Sequence, residues 1–128
     1  MMEQTATNKV ASNDSILSQA VEANGFVFVS GQIHADVEWQ LVGDTTSERF
    51  AVCMQNIRTI LEAAGLNLDA VVKLTLYVTD MTQIPEINSK YSAYFDGVCL
   101  PARETIGVAA LPLGASMEVS VIAVRSQV

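Results

Sequence analysis

Apolar and polar residues change period along the chain, and each change marks an element. Ser18 to Ala23 and Phe26 to Ser30 are two short runs either side of Asn24-Gly25. Asn-Gly in that setting predicts a tight hairpin, because both turn positions need positive φ. Gly31 ends the second run and lets another group approach the backbone. Residues 34 to 46 show no period and read as a loop, with His34 and Trp39 as rim residues. Phe50, Cys53, Met54, Ile57, Ile60, Leu61 and Ala64 then recur at helical spacing. Thr45 and Glu48 form a capping box before that stripe, and Gly65 stops it. From Asp69 to Asp80 the period falls to two: Val72, Leu74, Leu76 and Val78 alternate with Lys73, Thr75 and Tyr77. A second helix is predicted from Thr82 to Phe95 on Ile84, Ile87, Tyr91, Tyr94 and Phe95, with Pro85 in its first turn and Gly97 after it. Val98 to Pro101 leads into a strand from Arg103 to Ala110. Leu111-Pro112-Leu113-Gly114 reads as a turn, and Ser116 to Val124 as the last strand.

The predicted order is β-β-α-β-α-β-β, with hairpins at both ends. Helices interleaved with strands in this way make an α+β domain: a mixed sheet with two helices packed on one face. Residues 1–14 are rich in Asn, Thr and Ser and are expected to be a loose, flexible terminus, leaving 15–128 as a single domain. No third helix exists to cover the other sheet face, so self-association is expected. A hairpin across Leu111 to Gly114 sets Gly107 opposite Glu118 and Thr105 opposite Ser120, with Arg103 two rungs further along.

Composition narrows the partners. The 128 residues carry a net charge of −7 and are only 16% charged, against about 25% in a typical soluble domain. The polar deficit again argues for apolar interfaces between copies. The negative field repels phosphate backbones, so no nucleic-acid partner is expected. The polar start from Met1 to Val10 leads us to expect no secretory signal, no apolar run reaches membrane-spanning length, and a cytoplasmic location is expected. Cys53 and Cys99 lie far apart and read as reduced, mostly buried thiols. With His34 the only histidine, no multi-histidine metal site within one subunit is possible and none is expected.

Two charged residues stand where charge is expensive. Arg103 enters one strand, and Glu118 sits inside Met117 to Val124, the most apolar strand of the chain. A glutamate in apolar surroundings ionises reluctantly, and an arginine presents a planar fork suited to a carboxylate. Together they could hold a small organic anion and move a proton. From spacing alone, a structural ion pair between them is the more common outcome. Thr105 offers a hydroxyl, Ser30-Gly31 backbone amides for an oxyanion, and Asn88 and Tyr91 lie one helical turn apart; each has an ordinary structural role as well.

Ser30-Gly31-Gln32-Ile33, Asn56-Ile57, Glu62-Ala63-Ala64-Gly65, Val72-Lys73-Leu74-Thr75, Pro101-Ala102-Arg103-Glu104-Thr105, Val108 to Pro112, Met117-Glu118-Val119 and Ile122-Ala123-Val124 together resemble the Rid family. This is the YjgF or endoribonuclease L-PSP family of reactive intermediate deaminases, and the likeness runs from Ser18 to Arg125. It implies a fold similar to chorismate mutase of the bacterial trimeric type, a homotrimer, and ligand sites in clefts between subunits. It implies cofactor-free hydrolysis of 2-imino or enamine acids to 2-keto acids and ammonia. Arg103 matches the arginine that holds the substrate carboxylate, and Glu118 the glutamate that positions water. Thr105, Ser30, Gly31, Asn88 and Tyr91 match pocket or near-pocket positions. Leu17 stands where the family's pocket tyrosine is expected and makes the pocket more apolar, and His34 replaces a common proline. The departure at Leu17 motivates a second expectation, a non-catalytic binder of small carboxylic acids. A remote third is the ribonuclease or translation-inhibitor activity attributed to some members, which the charge and the single histidine disfavour.

Overall fold

The computed structural model describes residues 2–95, 97 and 99–126. Six strands form one sheet: β1 (Glu3–Thr5), β2 (Ala20–Ala23), β3 (Phe26–Ile33), β4 (Val71–Val78), β5 (Ala102–Gly107) and β6 (Met117–Val124). Helix α1 (Thr46–Ala63) joins β3 to β4, and α2 (Ile84–Tyr91) joins β4 to β5. Both helices pack on one sheet face, so the α+β architecture expected from the periodicity is the one observed. Local signals set the ends of these elements. Thr45 and Glu48 make the reciprocal capping box, and Asn24 and Gly25 take φ of 53° and 81° in the β2–β3 turn. The stripe Phe50, Cys53, Met54, Ile57, Ile60 and Leu61 is fully buried and meets Leu74, Leu76, Met117 and Val119 in one core.

Strand order is β1-β2-β3-β6-β4-β5, which corrects two expectations. The C-terminal strands are not a hairpin. β5 pairs in parallel with β4, and β6 lies between β3 and β4, antiparallel to both. Gly107 therefore faces Val78 and Thr105 faces Leu76, not Glu118 and Ser120. Burial decides the order: Met117, Val119, Val121 and Ala123 are all buried, which suits a central strand, whereas β5 keeps much of its surface exposed and suits an edge. The β4–α2–β5 segment is long enough for the crossover that parallel strands require. Leu111 to Gly114 lie in a connection that passes the end of β4, where Val108 N–H donates to Val78 O (2.9 Å) and Thr79 N–H to Ser116 O (3.1 Å).

The second correction concerns the N-terminus. Residues 3–5 add a strand to β2, and Val10 and Ala11 are buried. The plug behind them is Gln19, itself buried, whose side-chain amide donates to the carbonyls of Thr7, Val10 and Ala11 and whose Oε1 accepts from Thr7 N–H. Val98, read as part of the lead-in to β5, lies outside the described residues, as do Met1, Gln127 and Val128. Cys53 is buried but Cys99 is exposed, and both are free. No helix among the described residues is long and apolar enough to cross a membrane. The sheet face away from the helices is bare, with Phe26, Phe28 and Ile106 each more than a third exposed.

Candidate functional site

The candidate residues separate into two groups on opposite faces of the sheet. Side chains alternate along a strand. Arg103 and Thr105 pair with Leu74 and Leu76, whose side chains enter the helix-side core. Glu118 pairs with Tyr77, one residue out of phase with Leu76. The strand β4 lies between them, so Arg103 and Glu118 of one chain form no ion pair, and the structural pairing that spacing favoured is overturned.

Glu118 lies in a groove of about 500 Å³ lined by Asn13, Ile16, Leu17, Gly31, Ile33, Trp39, Pro112 and Leu113. Its carboxylate packs directly over Gly31: a Cβ there would fall 2.7 Å from Glu118 Cδ. Gly31 is thus needed for the close approach expected of it, although it lies inside β3 and does not end the strand. Burial pushes the Glu118 carboxyl above its ordinary range. None of the hydrogen bonds or ion pairs of the described residues involves it, so nothing in its own chain offsets that burial. Leu17, 41% exposed, forms part of the wall.

Arg103, Thr105 and Tyr91 meet at the β5 edge. The guanidinium stands 4.6 Å above the Tyr91 ring, a cation–π distance, and its Nε donates to Thr105 Oγ1 at 3.0 Å. Both partners are neutral, so the fork is oriented and its charge is left uncompensated. Tyr91 is almost fully buried against Phe50 and Phe95, and its hydroxyl has no hydrogen-bond partner. Burial raises the Tyr91 pKa, and the Arg103 charge opposes that rise. Asn88, one turn earlier on α2, is exposed and the structure does not bring it into a hydrogen bond.

Ser30 takes a local role. Its hydroxyl donates to Ser18 O (2.6 Å) and its N–H to Gln19 O (2.9 Å). The Ser30 amide expected to serve an oxyanion is therefore already committed.

His34 corrects the rim reading, since it is 2% exposed. Its Nε2 accepts from Ser116 N–H at 3.0 Å, so Nδ1 carries the proton and donates to Val42 O at 3.0 Å. Burial lowers its pKa, with the Arg49 charge adding to the effect. Arg49 in turn donates to Gly43 O and Ser116 Oγ, and Asn56 to Ala35 O. These bonds fix the loops that carry Trp39 and Leu113, residues the sequence reading did not assign to a pocket wall. Trp39 is a rim residue as expected, 38% exposed. Leu113 and Ile16 left no signal beyond being apolar in loops.

Comparison with known proteins identifies the family. Residues 9–125 match the family model described as Endoribonuclease L-PSP. A RutC family protein of Aquifex aeolicus is 43% identical over 109 residues, covering 84% of this chain and 87% of the relative. The mouse protein named 2-iminobutanoate/2-iminopropanoate deaminase is 37% identical over 121 residues, covering 94% of this chain and 89% of its own. The crystal structure of Escherichia coli TdcF with bound serine superposes with a TM-score of 0.89 at 29% identity, covering 97% of this chain and 99% of that one. On sequence, fold and family match together, the chain belongs to the Rid/YjgF family, also described as the endoribonuclease L-PSP family.

Proposed function

We propose that the chain hydrolyses reactive 2-imino acids, or their enamine tautomers, to 2-keto acids and ammonia without a cofactor. The observation that carries this reading is the Glu118 carboxylate, half-buried, raised in pKa and without a partner in its own chain. Such a group costs folding free energy unless water or a ligand uses it, and burial makes its carboxylate a readier proton acceptor than an exposed one. In the reaction, water held by Glu118 attacks C2 of the protonated imine, and the carboxylate accepts one water proton as the C–O bond forms. Glu118 returns that proton to nitrogen; as the C–N bond breaks, the carboxylate takes the hydroxyl proton to leave the keto group and passes it to the departing ammonia, which leaves as ammonium. The Arg103 fork holds the substrate carboxylate and fixes C2 for attack. The name of the mouse relative and the serine bound to the E. coli relative support a carboxylate-bearing ligand.

A site using both charges must draw them from two copies, since they face opposite sides of one sheet. A homotrimer with clefts between subunits meets that requirement, and the bare Phe26, Phe28 and Ile106 supply contact area. The free thiols suit a reducing compartment such as the cytoplasm. Ribonuclease chemistry finds no support: the single histidine has both ring nitrogens engaged, and the charge of −7 repels RNA.

The test is ammonia release from freshly generated 2-iminopropanoate or 2-iminobutanoate. Arg103→Ala is expected to lower kcat/KM by at least about thirtyfold, the usual effect of removing one partner of a buried charge pair. An unchanged rate overturns the reading. The second reading, a binder of small carboxylic acids, is favoured by Leu17 in the wall beside Glu118, where no hydroxyl helps orient a reacting group. It predicts saturable 2-keto acid binding with no turnover.

A further inference from the structure

Two bulky apolar residues are held in left-handed backbone conformation, Trp39 at φ 64° and Leu113 at φ 59°, and both line the Glu118 groove. The other non-glycine residue at positive φ among those described, Asn24, sits in the hairpin turn that requires it. Glycine or asparagine takes this backbone more readily, so Trp and Leu stand here at a cost. Their own chain does not recover it by burial, because Leu113 stays 61% exposed and Trp39 38%. Ile16 and Leu17 extend the same apolar wall at 74% and 41% exposure. The indole N–H of Trp39 already donates to Ser12 O at 3.4 Å, so the ring itself forms the surface. Strain kept at a cleft is a mark of function.

We infer that this groove selects the 2-imino acid by its side chain and takes a branched aliphatic or aromatic one ahead of methyl or carboxylate-bearing ones. The inference rests on the deaminase reading, which puts C2 beside Glu118. From there the side chain runs over Leu17, Ile16, Trp39 and Leu113. About 500 Å³ lies within the range of small-molecule pockets and far exceeds what a methyl group fills. A side chain ending in a carboxylate meets the Glu118 charge and finds no cation among the lining residues.

The experiment uses the whole chain with 2-imino acids released in situ by an L-amino-acid oxidase from alanine, leucine, phenylalanine and glutamate. The leucine- and phenylalanine-derived substrates are expected to exceed the alanine-derived one by at least about tenfold in kcat/KM, from the added buried carbons. The glutamate-derived substrate is expected to be the slowest. Leu113→Asn, which suits the backbone and alters an exposed site, is expected to shrink the leucine-to-alanine ratio to about threefold or less, and Leu17→Ser to do the same. An active wild type with equal rates across side chains overturns this inference and leaves the deaminase reading intact; a neighbouring copy filling the groove gives that result. A ratio that neither variant moves also overturns it. Absence of turnover with every imine overturns the deaminase reading itself.

Discussion

The Glu118 groove and the Arg103 edge solve the problem of a half-buried charge in opposite ways. Arg103 is steered by neutral partners, a ring face and a threonine hydroxyl, which fix its direction and leave its charge intact. Glu118 has no polar side-chain partner among the described residues and is placed by shape, its carboxylate lying over a glycine in a groove with apolar walls. The cation is therefore ready to meet an anion, and the carboxylate is ready to change protonation state. An internal salt bridge would have removed both properties, and β4 keeps the two apart.

Removing only the titration of Glu118 breaks the comparison most sharply. Glu118→Gln keeps the shape and loses the proton acceptor, so kcat is expected to fall by about 10²–10⁴, read by ammonia release. Stability should move the other way. The folded-state pKa is raised above 4.5, so the wild-type carboxyl favours the fold fully below 4.5 and loses that contribution as pH rises through the raised value. The variant is accordingly expected to be the more stable protein at neutral pH, with its advantage fading as pH falls toward 4.5. Thermal melts across that window check the sign, and equal melting at neutral pH would remove the claim that burial strains this carboxylate.

Much of this was legible because it is local. The capping box, the Asn-Gly turn and the stripe on α1 each depend on residues within a few positions, and each appears where the pattern put it. Strand order depends on contacts far apart in sequence. Leu111 to Gly114 look like a hairpin turn, and nothing nearby reveals that β6 passes to the other side of β4. The first strand, Glu3-Gln4-Thr5, carries no apolar alternation because it is a short edge strand with no buried side chain. His34 stands in an aperiodic loop, and its partner Ser116 is 82 residues away. Arg103 and Glu118 were identified as residue types in costly places, but their separation by a strand came only with the register.

The groove is braced from behind and the edge is not, and His34 measures that difference. His34→Ala leaves Ser116 N–H and Val42 O, both in part-buried hydrogen bonds, without their partner, a loss of about 2 kcal/mol in urea unfolding. The histidine itself adds a pH dependence. Its folded-state pKa lies below 6.5, so the folded protein resists protonation. Stability is expected to decline as pH falls from 6.5 through that lowered value. The decline should be shallower in the variant, since the group is gone. Equal slopes would assign the acid sensitivity to other groups.

Gly31→Ala gives the smallest effect and the most selective one. Gly31 is not at positive φ, so alanine fits the backbone, and the added methyl meets the mobile end of Glu118 rather than main chain. Relief of unfolded-chain entropy offsets the crowding, and stability is expected to stay within about 1 kcal/mol of wild type. The carboxylate has to swing aside by about an ångström, enough to lower kcat by about tenfold or more. In the proposed site the substrate carboxylate is held by Arg103 of a neighbouring copy, which the added methyl does not replace, so KM and 2-keto acid binding are expected to hold. A carboxylate moved toward solvent also regains hydration, which shifts the acid limb of the kcat profile to lower pH. Raised KM at constant kcat would mean that Gly31 serves binding instead, and that placement of Glu118 by shape is not what the groove provides.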